Sequence, residues 1–569
     1  MILTHQCREG SVPRRPNAYF RRGKYKMRKT SSRSRRKVAA VMAIALVASM
    51  SQVASIDAAS KANNLVILIA EKDSSWCSQD SPGLDQIVAK NAVAETLTIL
   101  NDKGKVVPYL AKSLTPSADF KTWDITLREG IFFHDGEQLS AATVIANMAA
   151  LLGLTVKGSL PAVGWQDTFG GVTSLAEFSQ KVKATGAFSV RLNLPAPAPF
   201  LPDALYGAGR PVMLSSKTLA SPKCGLTVAA GTGPFKVLEK GVDQFVTKLE
   251  ANTSYWRKAA DGSKLPKAKL VTFKVVLDAA QQYNALVQGS ADIATFGAFS
   301  GTLLNRIRTE QKGKITLYEG PRDTTWAFHM NTTAAPFKSK NARLAFSYAI
   351  DRESYVKLMT RGNGDPAYNF GASYHPYYVK NSGVKYDLKK AKEYVAAYKA
   401  ETGKDLAVVI PITDTANSLK GATALGKMIE KAGIKFSLMA PVTSTQFILR
   451  GFGLQQQLTQ FNVVAGRDAS FATNFAIETS LELSGFRFTD PKLAACFRAA
   501  RNSGIAAEYK KCVAVLHSEA YWVPSYNEGG FVAARKEIVG LGATPLPGGG
   551  SRPIVGLSGF DFASVTVTG

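Results

Sequence analysis

Apolar and polar positions along the chain follow two periods. Leu65 to Ala70 is an unbroken apolar run, the mark of a strand buried on both faces. Alternation follows in Trp123, Ile125 and Leu127, in Phe188, Val190, Leu192 and Leu194, in Phe245, Thr247 and Leu249, and in Val271, Phe273, Val275 and Leu277. Each set predicts a strand with one buried face. Ser140 stands where it would cap a helix carrying Val144, Met148 and Leu151. Beyond residue 340 the helical period dominates. Asn341 to Arg361 predicts one long helix closed by Gly362. Asp387 predicts the cap of a helix that carries Ala391, Tyr394, Val395 and Tyr398 and stops at Gly403; another helix ends at Gly433. Short strands are expected over 406–410, 434–438 and 461–465, and helices over about 490–503 and 506–521 meet at Gly504. Strands alternating with helices predict an α/β chain with crossover connections. There is no solenoid repeat and no heptad run.

The first sixty residues read differently. Residues 1–37 are rich in Arg and Lys, Val38 to Ala48 is apolar, and small residues follow, with Ala58-x-Ser60 or Ser60-x-Ala62 as cleavage sites. This layout predicts an export signal over residues 1–60. The apolar run falls short of the roughly 20 residues that span a bilayer, although an uncleaved anchor is the alternative. Ser34-Arg35-Arg36 hints at twin-arginine export, and Met27 is a second candidate start. No cysteine follows the apolar run to carry a lipid. The chain has 569 residues, which at about 100–200 per domain gives two to four domains. Apolar residues make up 46% and charged residues 20%, enough to bury sizeable cores. The net charge is +27, of which the signal carries +11. The remainder is spread out, without the like-charge blocks of a nucleic-acid arm, so no nucleic-acid partner is expected.

Cys7 lies in the signal, leaving Cys77, Cys224, Cys496 and Cys512. None has C-x-x-C spacing, so zinc is not expected. Cys496 and Cys512 each lie about eight residues from Gly504, at one height of an antiparallel helix pair. That predicts one disulfide and leaves Cys77 with Cys224; free buried thiols are the alternative.

The sequence has no H-E-x-x-H, no G-x-x-x-x-G-K-[ST] and no G-x-S-x-G. Gly231-Thr-Gly-Pro-Phe-Lys236 has glycines at the wrong spacing for a phosphate loop. Gly362-Asn-Gly364-Asp-Pro-Ala367 follows a helix rather than a strand, so it is not read as a dinucleotide site. Ser354-Tyr-Val-Lys357 lacks its β-lactamase partners. The five histidines show no i, i+4 pair, and His134 sits in a turn, Phe132-Phe-His-Asp-Gly136. Neither a catalytic centre, a metal site nor a cofactor is expected.

Several phrases then line up in order: Glu95-Thr-Leu97, Asn101-Asp-Lys-Gly104, Pro108-Tyr-Leu-Ala111-Lys-Ser113, Leu127-Arg-Glu-Gly130 with Phe133-His-Asp-Gly136, Leu139-Ser-Ala141, Gly231-Thr-Gly-Pro-Phe235, Asn252 with Tyr255-Trp256, and Leu286-Val-Gln-Gly289 with Ala291-Asp292-Ile293. Asn331 with Pro336-Phe337, Arg343-Leu-Ala345 and Ala349-Ile-Asp351-Arg352 complete the set. Over about residues 62–540 the chain closely resembles the dipeptide/oligopeptide/nickel-binding family of extracytoplasmic solute-binding proteins that serve ABC importers.

The resemblance implies a large bilobal periplasmic-binding-protein fold, α/β, with an extra subdomain inserted in the N-terminal lobe. Residues 61–95, 205–318 and 530–569 would form lobe I, 96–204 the inserted subdomain, and 319–529 lobe II. Two crossovers are expected near Leu317–Trp326 and Pro524–Phe531, and the shared phrases are expected to be scaffold, with Ala349-Ile-Asp-Arg352 inside a helix. The implied function is capture of a small peptide or peptide-like solute in the interlobe cleft and delivery to an ABC permease. The protein would be an exported, periplasmic or cell-envelope monomer and not an enzyme. A chemosensory receptor, or a binder of a non-peptide ligand such as a metal chelate, is the alternative. Three segments are expected to line the cleft: Ser75 and Trp76 after the first strand, Arg322 and Trp326 after the first crossover, and Arg467, Asp468 and Ser470. Asp468 would take the ligand's ammonium, Arg467 or Arg322 could take a carboxylate, and Trp76 and Trp326 would be flat apolar walls. The departures from the family are Gly466-Arg-Asp-Ala-Ser470 where an Asp-Pro pair is common, and the absence of a His cluster. Asp468 could instead cap the following helix and pair with Arg467.

Overall fold

The computed structural model describes residues 64–70, 75–77, 86–155, 165–225, 228–240, 245–322, 324–369, 371–373, 375, 377–443, 446–447, 450–451, 453–464, 490–554 and 559–568. Residues 1–60, expected to be an export signal, and the segment 466–470 lie outside them. Among the described residues no helix is long and apolar enough to cross a membrane.

The chain opens on β1 (Asn64–Ile69) and a short hairpin, β2 (Thr98–Leu100) with β3 (Val106–Pro108). Four strands follow: β4 (Ala111–Pro116), β5 (Thr122–Leu127), β6 (Val182–Gly186) and β7 (Ser189–Asn193). They form an antiparallel sheet in the order β4-β5-β7-β6. β5 buries Trp123, Ile125 and Leu127, and β7 buries Val190 and Leu192. Helix α1 (Ala141–Leu151) packs Val144 and Met148 into this core. Ser140 caps α1 as expected, through a reciprocal pair of bonds with Thr143. A one-turn helix, α2 (Trp165–Thr168), is anchored in the same core by Trp165.

Five strands come next: β8 (Phe235–Lys240), β9 (Val246–Ala251), β10 (Leu270–Val275), β11 (Ile293–Phe296) and β12 (Ile315–Glu319). Beyond them lie β13 (Thr324–Met330), β14 (Asp365–Pro366), β15 (Ala407–Ile410), β16 (Lys435–Leu438), β17 (Leu458–Val464), β18 (Trp522–Glu528) and β19 (Phe531–Arg535). Sheet I has seven strands in the order β12-β19-β11-β1-β10-β9-β8. Its centre is parallel, β1 pairing with both β10 and β11. Leu65, Ile67, Val271, Phe273 and Ile293, each no more than 1% exposed, fill its core. Each such side chain contributes about 1.5–3 kcal/mol on leaving water. Sheet II has four strands in the order β14-β18-β13-β17. It packs with the parallel pair β15–β16 on helices α3 (Lys340–Ala349), α4 (Arg352–Thr360), α5 (Leu388–Thr402) and α6 (Ala416–Glu430). Asp387 caps α5, and Gly403 ends it with φ +69°.

One expectation fails. Asn341 to Arg361 is two helices, not one. Ile350 is extended (φ −89°, ψ 108°), and the Asp351 carboxylate accepts the Ser354 N–H at 3.0 Å to start α4. Arg352 then turns inward, its Nε donating to the Pro524 carbonyl at 2.6 Å. Ala349-Ile-Asp-Arg352 is therefore the joint between two helices rather than the body of one. A polar side chain that satisfies its own backbone breaks a helical period that apolar spacing alone would continue.

Both cysteine pairs are bonded, Cys77 to Cys224 and Cys496 to Cys512. The second joins α7 (Pro491–Ser503) to α8 (Ala506–Ser518) about their turn at Gly504. The phrases shared with the family meet in space. Glu95, 3% exposed, accepts the Tyr109 and Tyr255 hydroxyls at 2.6 Å each, Thr232 Oγ1 at 2.9 Å and Trp256 Nε1 at 2.8 Å. Burial pushes this carboxyl above its usual range against the pull of those bonds and of Arg257. Arg257 in turn pairs with Asp561 at 2.9 Å. A buried carboxylate with every lone pair taken is a rigid scaffold node.

Candidate functional site

Two strand pairs run directly from one sheet into the other. β12 pairs with β19 in Sheet I, and β13 with β18 in Sheet II. The connections β12→β13 and β18→β19 are only residues 320–323 and 529–530. Glu319 faces Phe531 on one side of the junction and Thr324 faces Glu528 on the other. Between them the Gly320 N–H donates to the Gly530 carbonyl at 3.1 Å. Gly529 approaches so closely that a Cβ there would lie 1.9 Å from the Gly320 oxygen. Two short parallel connections concentrate any relative motion of the sheets into a few backbone torsions.

Glu528 closes the junction from within. It is 2% exposed, accepts the Ala298 N–H at 2.7 Å, and takes the indole N–H of Trp326. Ala298 follows β11 of Sheet I, so this carboxylate ties the two sheets together. Trp326 stacks on Tyr526 at 5.7 Å with an interplanar angle of 8°, and Tyr526 on Phe299 at 5.0 Å. Burial, with Glu528's charge adding, raises the Tyr526 hydroxyl well above its ordinary pKa, so it stays neutral. Nothing in the sequence singled out Glu528, Tyr526 or Phe299. The only signal for Tyr526 and Glu528 was their position in an expected crossover, and Phe299 had none.

The expected ligand residues fall in different surroundings. Trp326 sits at the junction, half-buried, with one face covered by Tyr526. Arg322 is there too, but its guanidinium is engaged. Nε and Nη2 donate to Glu319 at 3.0 and 2.9 Å, and Nη1 to Asp365 at 2.6 Å. It bridges β12 of Sheet I to β14 of Sheet II, and its planar fork is spent on these two carboxylates. Ser75 and Trp76 follow β1 in the chain, both 1% exposed. Ser75 Oγ accepts the Cys77 N–H at 2.9 Å, and Lys90 Nζ donates to the Cys77 carbonyl at 2.7 Å. The Cys77–Cys224 bond fixes this turn. The Trp76 ring packs in the Sheet I core with Lys240 Nζ 4.8 Å from its centroid. Its indole N–H is buried with no hydrogen-bond partner among the described residues. An orphaned buried donor costs about 1–3 kcal/mol, which an acceptor brought by a ligand would recover. Arg467, Asp468 and Ser470 lie outside the described residues. No group of three His, Cys, Asp or Glu placed to hold a metal occurs among the described residues.

A family model described as bacterial extracellular solute-binding proteins, family 5, matches residues 105–476. The nickel-binding periplasmic protein of Escherichia coli K12 is 29% identical over 339 residues, 57% of this chain and 59% of that protein. A glutathione-binding protein of Pectobacterium atrosepticum is 26% identical over 318 residues, 54% of this chain and 56% of its own length. These matches thus span a little over half of the curated relatives. Among solved structures, a peptide-bound periplasmic binding protein of Helicobacter pylori superposes with a TM-score of 0.74 at 20% identity, covering 89% of this chain and 98% of that one. An agropinic-acid-bound protein of Agrobacterium gives 0.75 at 19%, covering 89% and 99%. A protein of Campylobacter jejuni bound to nickel–histidine gives 0.72 at 21%, covering 88% and 98%. At these identities the likeness establishes the fold: a bilobal α/β periplasmic-binding-protein architecture.

Proposed function

Because the chain belongs to family 5 of the bacterial extracellular solute-binding proteins, we propose that it captures a peptide or peptide-like solute between its two lobes and delivers it to the permease of an ABC importer. The observation that carries this reading is the paired crossover at Gly320 and Gly530. Two bodies whose strands cross over there through two short connections are built to close on something, and a ligand touching both stabilises the closed state by its differential affinity. In this reading residues 1–60 export the chain. Residues 61–95, 205–318 and 530–569 act as lobe I, 96–204 as its inserted subdomain and 319–529 as lobe II. The working form is a monomer without cofactor, catalysis or nucleic acid. Trp76 offers an N–H that has no partner among the described residues, Trp326 a flat wall, and Ser75 a place beside them. Arg467, Asp468 and Ser470 form the facing wall, Asp468 taking an ammonium group. Arg322 serves the junction rather than the ligand.

Native mass spectrometry of the purified mature chain tests the ligand class. A retained mass matching a short peptide supports the reading. A retained nickel chelate or sugar-acid conjugate replaces the peptide, and turnover of a bound peptide would overturn the binding role. Trp76→Phe keeps a ring and removes the N–H. It should weaken binding of a peptide so identified about tenfold, read by calorimetry, and leave the circular dichroism spectrum unchanged. Asp468→Asn should weaken a free-amine peptide by about 2–5 kcal/mol.

A further inference from the structure

The small antiparallel body also meets the body of Sheet II directly. Asp167 lies in α2, on the small antiparallel body of residues 111–193. Arg498 and Arg501 lie on α7, which packs on Sheet II through Leu493, Phe497 and Ala500. Arg498 Nε donates to Asp167 Oδ1 at 2.8 Å, and Arg501 Nη2 donates to Asp167 Oδ2. One carboxylate therefore holds two guanidinium groups from the opposite body. Arg501 is 2% exposed as a side chain. Its guanidinium carbon lies 4.6 Å from the centroid of the Phe200 ring. Beside it Gly504, in the α7–α8 turn, packs on Pro199. A guanidinium so buried has its charge compensated by the Asp167 carboxylate. Separating the bodies would return both groups to water and remove the Phe200 surface.

Both sides of this contact are stiffened. Trp165, two residues before Asp167, is buried in its core and stacks on Phe169 at 5.8 Å. Arg498 and Arg501 follow Cys496 on the same helix, which the Cys496–Cys512 bond fixes to α8. Neither side can follow the other by bending, so the pair breaks when the lobes part.

We propose that Asp167, with Arg501 and Arg498, is a latch that holds the lobes closed and so sets ligand affinity without touching ligand. This rests on the two-lobe binding reading but acts before any ligand arrives. A binding protein whose closed state is already stabilised gives less of its ligand's binding energy to closure, so its apparent affinity rises with the closed fraction.

The test needs no ligand. In the full mature chain, exposed Lys183 and Lys510 are replaced by cysteine and spin-labelled, the native cysteines being bonded. Distances are read with and without Asp167→Asn, Arg501→Gln and Asp167→Glu. Asp167→Asn and Arg501→Gln should lower the closed-to-open ratio at least about tenfold, and Asp167→Glu should restore much of it. High salt should move the parent in the same direction. An unchanged distance distribution in both neutral variants, including a parent already fully open, overturns the latch. Failure to bind any peptide would count against the transport reading alone, because the distances are measured on the empty protein.

Discussion

The imidazole of His134 shows how much one side chain can report. Its backbone N–H donates to the Gly231 carbonyl at 2.9 Å, its Nε2 lies 2.9 Å from the Gly233 carbonyl, and its Nδ1 accepts the Gly231 N–H at 3.4 Å. One ring nitrogen donates and the other accepts, which only the neutral ring can do. Burial holds its pKa down to about 4 against the Gly233 bond, and burial with the Arg352 charge holds His517 at about 3. A free imidazole titrates near 6.5. Both folded values are depressed, so the unfolded chain takes up protons first as pH falls. Stability is therefore full above about pH 6.5 and is lost down to about 4 for His134 and 3 for His517, each contributing on the order of a few kcal/mol. Thermal melts between pH 7 and 4 should show this loss, and His134→Gln should flatten it; an equally steep fall in the variant would remove His134 from the account. The caps were legible at this scale: Ser140 and Asp387 each precede an apolar helical period. The engagement of Arg322 was not, because Asp365 stands 43 positions away and only strand pairing brings it near.

Elements were read best where one period ran uninterrupted. β1, β5, β9 and β10 appear where alternation or a continuous apolar run placed them, and α5 appears between its start signal, Asp387, and its stop signal, Gly403. The one long helix that became two had the correct apolar period throughout. What broke it was a single capping carboxylate, Asp351, and an arginine drawn to a carbonyl on β18, neither of which spacing records. The Cys496–Cys512 pair was legible because two helices and their turn fix the height of both cysteines. That bond closes a loop of 16 residues, and in the chain-entropy model such a loop contributes about 3 kcal/mol. Replacing both cysteines by serine should lower stability by that amount. The effect should concentrate in the α7–α8 pair, read as faster amide exchange there than in Sheet I. Uniform exchange across the molecule would mean that the bond constrains more than this helix pair.

At the scale of the whole molecule, the family phrases lead to the scaffold and the function lies in what connects its parts. Glu95, His134, Gly231 and Tyr255 meet within one body, so a sequence reader finds the fold through residues that never need to move. The junction carries little sequence signal, because glycines and short turns are common everywhere. Its constraint is nonetheless sharp. At Gly529 a Cβ would meet the Gly320 carbonyl oxygen at 1.9 Å, and the two residues belong to the two connections that cross between the sheets. Neither can yield without displacing a crossover. Gly529→Ala should therefore cost about 1–3 kcal/mol, like other over-packed sites. It should also shift the lobe arrangement, read as a changed radius of gyration and a weakened compaction when ligand is added. Gly403→Ala is the control. Gly403 also takes a conformation that favours glycine, φ +69°, but a Cβ there meets nothing within 4 Å. That change should cost about 1 kcal/mol from backbone strain alone and leave the scattering curve as it was. If both variants scatter alike, the close approach at Gly529 is packing without mechanical consequence, and the lobes pivot elsewhere. If only Gly529→Ala changes the curve, the two glycine-bearing crossovers are the axis on which the cleft opens and shuts.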